Sequence, residues 1–121
     1  MVASTKRATQ RTTAASRFAG KPFTAVSFVR QDPNEKFGLL YWTPTGATNY
    51  PDACCDGWNQ GREAVEYIRD NPNDTALSLL TWAVVDLFAH TADDDVGRGF
   101  RVGFLQQVAR AAAGMQLRSE V

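Results

Sequence analysis

The chain has 121 residues, with 13 Lys and Arg against 13 Asp and Glu, and it is 44% hydrophobic and 21% charged. That length fits one domain with a modest core, and the composition is ordinary for a globular protein. The longest nearly apolar run, 76–89, is too short to cross a bilayer and carries Asp86, so no membrane helix is expected. The first residues lack the apolar segment of a secretory leader, and the expectation is a cytoplasmic protein.

The even charge balance hides an asymmetry. Residues 1–22 hold Lys6, Arg7, Arg11, Arg17 and Lys21 and no acid, whereas 23–121 hold all thirteen acids and eight cations. Only Val2 and Phe18 are sizeable apolar groups in this stretch, too few to offset the entropy of ordering it, which predicts a disordered basic tail. It reads first as a solubilising segment. Its second reading is an arm whose five cations contact a nucleic-acid phosphate backbone. A transit peptide ranks below both, because no amphipathic stripe accompanies the arginines.

Residues 23–116 read as one α+β domain. "FTAVSFVRQ" from Phe23 is dense in β-branched and aromatic residues and predicts a strand. "DPNEK" supplies a turn, and "FGLLYWT" a return strand that ends at Pro44. Both faces of this N-terminal β-hairpin carry bulk, and a lone two-stranded hairpin is marginal in water. The expected remedy is pairing with a second copy into a larger sheet, hence a homodimer.

A loop is expected from Pro44 to Cys55. Three helices follow. The first is "GWNQGREAVEYIRDN", capped by Asp56, with Trp58, Gly61, Val65 and Ile68 on one stripe where Gly61 permits close approach. The second is "DTALSLLTWAVVDLFAHT", capped by Asp74 and apolar nearly all round, which predicts the central helix of the core. The third, "GFRVGFLQQVARAAAGM", stops at Gly114. Residues 117–121 are expected to fray.

Chemistry has few candidates. Cys54 and Cys55 are adjacent, with Cα atoms only ~3.8 Å apart, shorter than a usual disulfide span, so two reduced thiols are expected. Asp86 and the single His, His90, are four apart and share a helix face, an arrangement that orients an imidazole base. Cys55, placed before a helix N-terminus, would complete a Cys-His-Asp set. The competing reading is structural: His90 ends a helix, and Asp93, Asp94 and Asp95 start the next. That reading is favoured, so no catalytic residues are expected. With one His and no metal-binding motif, no metal site or cofactor is expected either.

"GRGFRVG", 97–103, lacks the context of a dinucleotide fingerprint, and its glycines read as packing and turn positions. Tyr41, Trp42, Tyr50 and Trp58 flank the loop among Thr, Pro, Asp and Cys rather than cations, so they read as core or as a protein-binding patch.

"YWTPTGATNYPDACCDGWNQGREAVEYI" followed by "GFLQQVARAAAG" resembles small uncharacterised accessory proteins carried on bacterial integrative and conjugative elements, over about residues 23–114. Cys55 and Gly57 stand at the matching loop positions. The resemblance implies a cytoplasmic bacterial accessory protein of a mobile genetic element. It brings no activity and no catalytic residues. The combined expectation is a non-enzymatic protein that binds another macromolecule and modulates or inhibits a host system. The alternatives are a nucleic-acid-associated protein using residues 1–22 and, third, a small Cys- or metal-dependent enzyme.

Overall fold

The computed structural model describes residues 16–35 and 37–118. A 3-10 turn, Phe23–Ala25, leads into an antiparallel hairpin, β1 (Arg30–Gln31) and β2 (Leu39–Leu40). Three helices follow: α1 (Tyr50–Asp70), α2 (Asp74–Ala89) and α3 (Asp95–Ala112). The α+β order of a hairpin and then three helices is the expected one.

The hairpin is much shorter than predicted. Arg30 pairs with Leu40 and Gln31 with Leu39, and the remainder of 23–29 is a run of turns. These turns are closed by Ala25 N–H to Pro22 O, Val26 N–H to Phe23 O and Val29 N–H to Val26 O. A strand sends alternate side chains to opposite faces, but Val26, Phe28 and Val29 are all buried. The wound path brings all three to one core, and packing overrides strand propensity. Tyr41 and Trp42 are buried within the same chain.

α1 begins seven residues earlier than the sequence reading placed it. Asn49 caps it by accepting from the Asp52 N–H, and Pro51 sits in the first turn. Asp56 therefore does not cap a helix; it lies inside α1 and accepts from the Thr45 hydroxyl. Asn73, rather than Asp74, caps α2, and Asp94 caps α3. Gly114, at φ +73°, ends α3 with the Met115 N–H on the Arg110 carbonyl.

The centre of the fold is the α1–α3 pair. A Cβ on Gly103 would lie 2.2 Å from the Cys54 carbonyl oxygen, and one on Gly57 would lie 2.6 Å from the Phe100 carbonyl oxygen. The two backbones touch there, and only glycine allows it. Beside the seam, Phe100 packs edge-on against Trp42 at 5.2 Å and Phe104 against Phe28 at 5.8 Å.

α2 is not the central helix. Ala76, Leu79, Ala83 and Leu87 face the core, while Leu77, Trp82, Val85 and Phe88 face outward. The domain also extends past both predicted limits. Phe18 is buried, donates its N–H to Asp70 and accepts from the Asn71 side chain, and Arg17 pairs with Glu66 at 3.0 Å. At the other end, the buried Gln107 side chain holds the Arg118 backbone through two hydrogen bonds of 2.7 and 3.0 Å.

The glycine seam predicts a sharp contrast between two substitutions. Gly103→Ala should lower stability by about 3 kcal/mol, because the clash is with backbone and has no soft side chain to displace. Gly46→Ala, with nothing within 4 Å of the new Cβ, should change it little. Urea denaturation of both variants checks this.

Candidate interaction site

An α-helix turns about 100° per residue, and on that count the residues of α2 divide into two arcs. Leu77, Phe88, Val85 and Trp82 span about 140° of the outer side, and Leu79, Ala83, Ala76 and Leu87 occupy the opposite side. The four outer residues, with Phe37 from the hairpin turn, are between 38% and 60% exposed. Thr81 and Ser78 lie among them, each turned back toward a backbone carbonyl of the preceding turn.

At one end of this face, Glu35, Phe37, Leu39, Tyr41, Trp82 and Asp86 line an open cavity of about 300 Å³. The hairpin turn is set by Asp32, whose carboxylate accepts from the Asn34 N–H and whose own N–H bonds the Gly38 carbonyl. Gly38 takes the left-handed conformation, φ +75°, that the turn requires. The neighbouring backbone is tied to α2 by the Tyr41 N–H, which donates to Asp86 Oδ2 at 2.8 Å. The Trp82 ring contacts Phe37 at 5.5 Å and Tyr41 at 6.2 Å. At the far end of α2, Leu77 and Asp74 border a shallower hollow with Ile68, Arg69, Pro72 and Asn73.

The candidate polar set of Asp86, His90 and Cys55 lines no common cavity. Asp86 bonds the Tyr41 backbone, and no ion pair joins it to His90. His90 is the C-cap of α2, its N–H on the Asp86 carbonyl, and it borders a different hollow with Trp42, Pro44 and Phe100. Cys55 lines neither cavity and sits inside α1 rather than ahead of a helix N-terminus. The stretch "VVDLFAHTADDD" is a helix stop followed by a helix start: Asp94 caps α3, and Arg98 bridges Asp93 and Asp95 at 3.3 and 2.7 Å. Among the described residues no three His, Cys, Asp or Glu gather around a point that could hold a metal ion.

The aromatic candidates also part company. Trp42 is fully buried and donates its indole N–H to Gln60, so it is core. Trp58 lies under the Arg118 guanidinium at 3.9 Å, and Tyr50 stands at the start of α1. Of the four, only Tyr41 lines the cavity. Sequence reasoning missed Phe37, Trp82, Val85 and Phe88. The signal of the last three was present as apolar residues on every side of a helix, which pointed to burial. Of the basic residues, Lys6, Arg7 and Arg11 lie outside the described residues. Arg17 is engaged by Glu66, and Lys21 lends its carbonyl to the Tyr67 hydroxyl at 2.6 Å.

No family model, no curated protein and no solved structure matches this chain. Among the described residues no helix is long and apolar enough to cross a membrane.

The two thiols differ. Cys54 is buried, and burial, with Cys55 beside it, pushes its thiol above the usual range despite Arg118. Burial likewise raises the Tyr67 phenol. Both groups are neutral when protonated, so the stability they contribute is present below their ordinary pKa values and is lost as pH rises through the raised ones. Urea midpoints should hold to about pH 8.5 and decline above it, and Cys54→Ala should make the decline shallower. In native protein a disulfide thiol reagent should modify half-buried Cys55 before Cys54.

Proposed function

We propose that this protein acts without catalysis, by docking a protein partner on the outer face of α2 and the adjoining hairpin turn, and so modulates that partner. One observation carries the reading: a helix that is apolar nearly all round lies at the edge of the fold with four large apolar side chains, Leu77, Trp82, Val85 and Phe88, exposed. Single exposed apolar residues are ordinary, but a contiguous group marks an interaction site. Phe37, Trp82 and Phe88 alone expose on the order of 300 Å², before Leu77 and Val85 are added.

That Cys55, Asp86 and His90 line no common cavity favours binding over a Cys- or metal-dependent reaction. A nucleic-acid arm would rest on Lys6, Arg7, Arg11 and Lys21, since Arg17 pairs with Glu66 within the domain. The resemblance to accessory proteins of bacterial mobile genetic elements is in keeping with a modulating role toward a host system in the cytoplasm.

A photo-crosslinking residue placed at Val85 of the full chain, in cells that make the protein, tests the reading. A light-dependent adduct with one partner is expected at Val85 and not at exposed Thr24. The purified pair should then bind directly, and Val85→Glu with Phe88→Glu should weaken that binding more than about tenfold, since each buries a charge without a partner. An adduct between two copies of this chain would replace the partner with a homodimer. No adduct at Val85 would sink the proposal.

A further inference from the structure

The cavity beside the hairpin turn differs from the rest of the outer face in its charge. Glu35 and Asp86 are the ionisable acids of its lining, and no Lys or Arg of the described residues joins them there. Among the described residues neither carboxylate has an ion-pair partner. Asp86 uses Oδ2 for the Tyr41 N–H; a carboxylate has about four acceptor directions, so Oδ1 keeps its own. The remaining walls are aromatic. The Tyr41 and Trp82 rings are inclined at 31° with centroids 6.2 Å apart, and Phe37 is inclined at 58° to Trp82. Ring faces and carboxylates attract the same sign of charge, so every polar feature that the described side chains give the cavity favours a cation.

We infer that this cavity binds the guanidinium of an arginine presented by the protein partner, an inference that rests on the docking role proposed for the outer face of α2. The shape selects guanidinium over ammonium. A planar cation stacks on the exposed Trp82 ring while its in-plane N–H donors remain directed at carboxylates. An ammonium is a compact, strongly hydrated charge that gains less from a flat ring and an open mouth. A volume of about 300 Å³ accepts the guanidinium and part of its stem. The rest of the stem covers the exposed apolar surface that continues along α2. Arginine is thus the residue whose two chemistries match the two halves of this surface, a charged plane and an apolar chain.

The test is a titration of the ¹⁵N-labelled full chain with N-acetyl-arginine amide, followed at the Trp82 indole N–H and assigned with Trp82→Phe. A saturable shift of that resonance is expected, while the indole of buried Trp42 stays in place. N-acetyl-citrulline amide, of the same shape without the charge, should leave Trp82 unmoved. Glu35→Gln combined with Asp86→Asn, which retains an oxygen for the Tyr41 N–H, should weaken binding about tenfold. If that pair fails to fold, Glu35→Gln alone should still weaken it measurably. An equal shift with citrulline, tighter binding by the trimethyl-lysine amide, or no shift with arginine overturns the inference. A partner crosslinked at Val85 without an arginine shift removes only the cation pocket, whereas an arginine shift without any crosslink removes only the docking role.

Discussion

Between α1 and α3 the two backbones meet with almost no side chain in the way, and the remainder of the structure is arranged around that contact. Gly103 faces the Cys54 carbonyl, Gly99 faces Ala53 and the Tyr50 carbonyl, and Gly57 faces the Phe100 carbonyl. Close approach maximises dispersion contact along the helices, because protein interiors gain from density rather than from any single pair. It also leaves Phe100 and Phe104 free to project beside the seam, where they receive Trp42 and Phe28. The segments before and after the hairpin are held by these rings, which is how two strands of only two residues each persist.

Buried amides complete the frame. Gln60 accepts from the Trp42 indole and donates to the Thr43 carbonyl, fixing the chain that leaves β2 onto α1. Gln107 donates to the Trp58 carbonyl and clasps Arg118, so the end of the domain folds back over the seam. A buried amide left unpaired is costly, so each of these bonds specifies one arrangement as much as it stabilises it. The position of Tyr41 follows from that of Trp42, its neighbour, and the cavity at the end of α2 follows from Tyr41.

α2 has no such glycine seam. It reaches the core through Ala76, Leu79, Ala83 and Leu87, a narrow stripe that a 16-residue helix satisfies with one side. Its other side carries large apolar residues as well, and hydrophobic patterning cannot tell an apolar face that meets its own chain from one that meets another. For that reason the longest apolar run in the sequence pointed to the middle of the core and stands at its edge. The hairpin was misjudged for the complementary reason. Its β-branched and aromatic residues suggested a long strand, whereas a wound path from Phe23 to Val29 brings their bulk into a single core.

By itself the sequence determined three helices and a hairpin turn, the role of Gly61 and of the glycines in "GRGFRVG" as sites of close approach, and the reading of His90 and the Asp run as helix ends. These are local matters, settled by caps, breakers and the absence of a Cβ, and they act within a few residues of where they are written. Tertiary structure alone decided that Phe18 belongs to the domain, that α1 begins at Tyr50, that Trp42 is core and Tyr41 is not wholly so, and that α2 keeps an open face. Each of these depends on which apolar surface finds a partner far along the chain. Burial is a property of the whole arrangement, and periodicity reports only how much of it a segment is able to accept.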